Sequence, residues 1–369
     1  MDRSDPTLPP DDAPPNSWAP ARRAARAIAT PIQGILAVEA ASGLILLATT
    51  LLALLWANSR WSDAYHQLWH LPLGIQFADW SFVRPLEFWI NDGLMTVFFF
   101  VVGLEIRREI YEGELSSLRG AALPFAAALG GMAVPALIFV AFNVGREGAG
   151  GWAIPMATDI AFAVGVLTLL GSRVPAALRI LLLTLAVIDD IGAILVIAIV
   201  YNAGIEPIGF VLAAAGVGGA FALRAAAIRH PLAYVVPGVV LWAGLYTAGV
   251  HPTLAGVILG LITPVRSWFG AAGFAAATHV HLAELDNSEP DRDQLLARLD
   301  AIEIARREAV SPTERLIHAL HPWVAYVIMP LFALANAGVT LGGADLTGDR
   351  GWLFVGIVVG LAAGKPLGI

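Results

Sequence analysis

Cysteine is absent from the 369 residues, and lysine occurs once, as Lys365. The first absence excludes disulfide bridges and thiolate metal sites. Charge is scarce too: Asp, Glu, Lys and Arg make up 14% of the chain, and the formal net charge is −7. A surface that binds phosphates is basic, so a nucleic-acid partner is excluded. The amphipathic stripes of a soluble core are also missing. Neither a cofactor nor an enzymatic activity is expected.

Apolar sequence fills the chain instead, at 57% of residues. Runs of about 20 residues recur, long enough to cross a hydrocarbon layer of about 30 Å as helices. Ten are marked, at roughly 35–56, 91–105, 119–142, 153–170, 176–201, 206–226, 232–249, 252–265, 322–339 and 352–369. The expected fold is an all-α polytopic membrane protein occupying 31–369. Residues 1–30, rich in Pro, Asp and Arg and without an apolar core, read as a disordered cytoplasmic tail. Trp56, Trp89, Trp152, Trp323 and Trp352 sit at span edges, where amphipathic rings favour the interface. With the N-terminus cytoplasmic, seventeen arginines fall in inside segments, and only Arg60, Arg84, Arg146 and Arg350 fall outside.

Two connections carry content. Residues 70–84 (HLPLGIQFADWSFVR) alternate around Ala78–Asp79, which predicts a small external β-hairpin. Residues 266–318 form a charged cytoplasmic loop, in which QLLARLDAIEIARR has helical periodicity.

Ionisable groups inside a bilayer cost about 2.5–3.5 kcal/mol each and call for a partner or a purpose. The spans hold Glu39, Asp92, Glu105, Asp159, Asp189, Asp190 and Lys365. Glu105 opens the polar run EIRRE at a cytoplasmic rim, and Glu39 and Asp92 lie near span ends. The other four fall in the middle third of the membrane. Asp189 is 14 residues past Pro175 and Lys365 is 13 past Trp352, depths of about 20 Å at 1.5 Å per residue. Asp159 is seven residues past Trp152, a little shallower. The single lysine, an ammonium responsive to burial, is thus placed where it is buried.

Adjacent helical residues point about 100° apart. One of Asp189 and Asp190 can therefore pair with Lys365 while the other faces a cavity. Two neighbouring carboxylates repel when both are ionised, and either a proton or a small hard cation such as Na⁺ or Li⁺ relieves the repulsion. Competition of cation and proton for the same oxygens, with access alternating between the two sides, is the minimal requirement for antiport. In WAIPMATDIAFAVG, Pro155 removes a backbone donor, and Thr158 and Asp159 supply side chains able to cap a broken helix. Interrupted helices at the midplane are a usual construction of transporter ion sites.

Six stretches then carry a resemblance: FFFVVGLEIRRE (98–109), GWAIPMATDIAFAVGVLTLLGSRVP (151–175), LAVIDDIGAI (185–194), GVHPTLAGVILG (249–260), LHPWVAYVIMPLFALANAGV (320–339) and GKPLGI (364–369). In this order they resemble the NhaA family of bacterial sodium/proton antiporters, a family among the general examples of transporters with inverted repeats. The resemblance implies an inverted-repeat helical bundle with two broken helices crossing at the midplane. It implies that Asp189 and Asp190 alternately bind the transported Na⁺ and protons, that Lys365 pairs with Asp189, and that Thr158 and Asp159 sit at the crossing. It also implies exchange of one Na⁺ or Li⁺ for two protons, activation at alkaline pH, a place in the bacterial inner membrane, and homodimers joined through the 70–84 hairpin.

The 266–318 loop looks longer than in the family. Family members also continue through two more helices beyond the residue equivalent to Ile369, so a fragment truncated at the C-terminus, with its own transport competence in doubt, is expected. Among rival readings, an intramembrane aspartyl protease places its aspartates on separate helices, and a prenyltransferase needs more basic residues near its pair. A proton-coupled symporter of a small organic solute stays open as the alternative, although these Ala/Leu/Ile-rich spans offer few aromatic and amide groups for one.

Overall fold

The computed structural model describes residues 39–77, 80–156, 173–175, 178, 181–182, 184–185, 188–189, 191–193, 195–196, 206–228, 230–267, 269–286, 291–341 and 347–369. Among the described residues the elements are helices apart from one hairpin. Helix α1 (Glu39–Ala57) leads into the short α2 (Ser62–Trp69) through a bend of 116°. Strands β1 (Pro72–Phe77) and β2 (Trp80–Pro85) pair antiparallel, from Pro72 opposite Pro85 to Phe77 opposite Trp80. The alternation read at 70–84 is therefore a two-stranded sheet; Ala78 and Asp79 lie outside the described residues.

Among the described residues, five helices are long and apolar enough to cross a membrane: α3 (Leu86–Glu112), α4 (Leu118–Asn143), α5 (Pro207–Ala225), α10 (Pro312–Asn336) and α11 (Gly348–Gly368). Between them lie the shorter α6 (Val235–Thr247) and α7 (Leu254–Ile262) and the charged pair α8 (Gly270–Asp286) and α9 (Arg292–Ala309). Local sequence sets these starts. Ser117 accepts from the Gly120 amide at 3.1 Å to cap α4, and Asp291 accepts from the Gln294 amide at 2.8 Å to cap α9. Proline occupies the first turn of α5 and α10, where its missing N–H costs nothing.

Three differences from the sequence reading have physical causes. Helix α10 begins at Pro312, well before the expected start at 322, because Ser311 caps it by accepting from the Glu314 amide at 3.2 Å. Its first turns are amphipathic and carry Glu314, Arg315 and His318, which hides them from a search for apolar runs. The span expected at 252–265 is the nine-residue α7, held between the turn at Gly249 (φ +76°) and the extended Thr263–Pro264. Within 266–318, α8 and α9 pack against each other, and the Phe269 amide donates to the Glu308 carbonyl at 3.2 Å to close the base of the pair. The spans expected at 153–170 and 176–201 fall largely outside the described residues.

The helices pack in two groups. In the first, α3 is central: Met95 and Val101 meet Val324 and Ile328 of α10, and Val102 and Ile106 meet Val257 of α7. Between α5 and α6, Ala213 packs on Leu241 and Leu245. In the second group α4 is central, with Ala127 and Ala128 against Leu185 and Ile188. Ile191 packs onto Val102, Ile106 and Val257 and so joins the groups. Large apolar side chains such as Leu55, Leu137 and Val236 cover the outside. Lipid tails are as apolar as these side chains, so burial gives little drive between helices, and close backbone approach at small residues takes its place. Gly103 shows this: a Cβ there would stand 2.7 Å from the Val257 carbonyl oxygen.

Candidate ion site on the α4 scaffold

Helix α4 packs against both of the elements that bear the buried charge pair. On one side it meets the segment 181–196, whose described residues are helical. Ala127 and Ala128 face Leu185 and Ile188, and Gly192 lies against the thioether end of Met132, which would have to shift to admit a Cβ. Thr184 and Asp189 are buried on this segment, Asp189 to 2% exposure.

On the other side α4 meets α11 through glycines at 356, 360, 364 and 368. A Cβ on Gly364 would lie 2.8 Å from the Cα of Pro135, and one on Gly360 would lie 3.0 Å from Pro155. A four-residue repeat overshoots the α-helical turn of 3.6 residues and drifts around the helix by about 40° per step. The π-helical turn Gly360–Gly364 is wider and takes back part of that drift, keeping the glycines on α4. Lys365 follows this turn directly.

Its Nζ donates to Oδ2 of Asp189 at 2.7 Å, with side-chain exposures of 14% and 1%. Helices α4, α11 and the 181–196 segment thus bring together two residues far apart in sequence. Asp190, Thr158 and Asp159, the other expected members of the site, lie outside the described residues. Among the described residues, no three His, Asp or Glu side chains gather as a metal-binding cluster.

The remaining intramembrane acids are placed as follows. Glu105 sits on α3, which runs on to Glu112, so the polar run EIRRE continues the helix and does not end it. Asp92 lies in the π-helical turn Trp89–Leu94, where its carbonyl accepts from Trp242 Nε1 at 2.8 Å. Its carboxylate interacts electrostatically with His251, at the turn before α7. Sequence spacing gave no sign of that association, because it depends on α3 and α7 packing side by side. The side chain of Glu39 is outside the described residues.

The hairpin is tied to the bundle by aromatic rings. Phe82 meets Phe88, Trp89, Trp242 and Tyr246 edge-on, at centroid distances of 5.7–6.4 Å. Arg84 donates to the Tyr246 hydroxyl from Nε at 3.0 Å and Nη2 at 2.7 Å. Strand β1 is the outer strand, with Leu73 and Ile75 exposed, and among the described residues no third strand pairs with it.

Comparison with known proteins adds three relatives and a family. The family described as Na⁺/H⁺ antiporter 1 matches residues 33–369. The Na⁺/H⁺ antiporter NhaA 2 of Sorangium cellulosum is 57% identical over 363 residues, covering 97% of this chain and 77% of that protein. NhaA 2 of Myxococcus xanthus is 53% identical over 98% of this chain and 78% of its own length. NhaA of Bordetella petrii is 49% identical over 94% of this chain and 75% of its own length.

Proposed function

The chain belongs to the Na⁺/H⁺ antiporter 1 family, and from that premise we propose that it exchanges Na⁺, or Li⁺, for protons across the bacterial inner membrane, in sodium and pH homeostasis. One observation carries the site assignment: a carboxylate buried to 1% exposure is held at 2.7 Å by the only lysine in the chain. The ammonium neutralises Asp189 when neither proton nor cation does so. Asp190, next in sequence, supplies the second carboxylate, and the two share the transported Na⁺ and protons. Thr158 and Asp159 support the site from the fourth span. Their roles, like that of Asp190, rest on the resemblance of their motifs.

The N-terminus faces the cytoplasm in this reading, supported by the seventeen-to-four distribution of arginines. Two copies associate through the hairpin, in the lipid bilayer. The exposed Leu73 and Ile75 and the open edge of β1 support that contact.

The test is transport by the protein reconstituted into vesicles with an imposed pH gradient followed by a fluorescent dye. Exchange predicts that Na⁺ alone collapses the gradient, and that no organic solute is needed. A gradient that responds only when an organic solute is present would establish the symport alternative instead.

A further inference from the structure

The glycine ladder between α11 and α4 leaves a problem of register. Glycines recur every four residues at 356, 360, 364 and 368, so a slide of α11 by one rung puts a glycine again where Gly356, Gly360 and Gly364 now meet α4. One rung is about 6 Å at 1.5 Å per residue. That displacement would separate Lys365 from Asp189, whose atoms now stand 2.7 Å apart. A repeating ladder gives closeness without setting height, and a non-repeating contact has to set it.

Such a contact lies at the far end of the same helix pair, beyond the ladder. Arg146, just past the end of α4, bonds Asp349 of α11 from Nη1 to Oδ1 at 2.7 Å. Its guanidinium lies over the Trp352 ring at 5.0 Å, and that ring stacks on Phe142 of α4 at 6.0 Å. Asn143, fully buried, donates from Nδ2 to the Trp352 carbonyl at 3.3 Å. None of these side chains recurs one rung away on α11: Asp349 would have to be replaced by Leu353, and Trp352 by Gly356.

We propose that Arg146, with Asp349 and Trp352, is a register pin that sets the height of α11 on α4 and so places Lys365 on Asp189. These are positioning residues, acting through Lys365. The consequence for transport rests on the exchange reading given above; the positioning itself does not.

The single lysine permits a direct test. The intact protein in detergent is treated with a small amine-reactive reagent, and acylation of Lys365 is followed by mass spectrometry against the α-amino group. Melting temperatures are recorded alongside, and Na⁺-driven proton flux is measured across pH in vesicles. Arg146→Ala removes both the ion pair and the ring contact, and labelling of Lys365 rises about tenfold. Asp349→Asn keeps the ring contact and gives about threefold. The exchanged pair Arg146→Asp with Asp349→Arg brings the rate back toward the parent. Both single variants also move the pH profile of exchange to more alkaline values, because the cation then competes less well with the proton at Asp189.

Labelling within twofold of the parent in Asp349→Asn and in a folded Arg146→Ala protein overturns the pin, even if the melting temperature falls, since that is loss of stability alone. If Arg146→Ala does not fold, the milder Asp349→Asn decides. Faster labelling with an unmoved pH profile upholds the pin and contradicts the role given to Lys365 in exchange.

Discussion

Replacing Lys365 by alanine strands the Asp189 carboxylate, and the size of the effect follows from its burial. Removing one member of a buried pair costs about 3–5 kcal/mol, because the remaining charge is left uncompensated. The aspartate side chain is 1% exposed, so water screens it little, and the 14% exposure of the lysine places the estimate toward the lower end. The expected loss is about 3 kcal/mol. Thermal unfolding in detergent measures it, for the parent, Lys365→Ala, and Lys365→Ala with Asp189→Asn. The double variant, with no charge left to strand, recovers most of the loss. An unchanged melting temperature in Lys365→Ala, or no recovery in the double variant, would refute the reasoning.

Asp190→Asn is expected to abolish Na⁺-driven proton flux while leaving the melting temperature within a few degrees of the parent; retained flux would remove Asp190 from the site. Gly364→Val forces a branched side chain against Pro135 and should cost about 3 kcal/mol or more in thermal unfolding, with loss of exchange. Tyr246→Phe removes the acceptor of two hydrogen bonds from Arg84, a loss of about 1–3 kcal/mol at the hairpin anchor. Light scattering should then find a smaller dimer fraction at equal concentration, and an unchanged fraction would separate the anchor from the proposed dimer contact.

The parts of the fold that were legible in the sequence are those in which a local period or cap decides the structure. The alternation at 70–84 gave the hairpin because side chains on a strand point to opposite faces, and apolar length gave most of the described spans. The early start of α10 was not legible, since Glu314, Arg315 and His318 interrupt its apolar run while a cap and one stripe make it helical. The lone lysine stood out by composition. The means that hold it in place did not: the glycines on α11 acquire meaning only when α4 lies against them, and the π-helical turn before Lys365 has no local signature.

The central claim, that Na⁺ and protons compete for the Asp189–Asp190 carboxylates, is tested most directly by proton release. Detergent-solubilised protein in unbuffered solution, poised near the alkaline end of its active range, is given Na⁺ while a pH electrode records the solution. The account predicts acidification that saturates with Na⁺ and is absent in Asp190→Asn. Sodium binding, followed by calorimetry under the same conditions, with no proton released would contradict it.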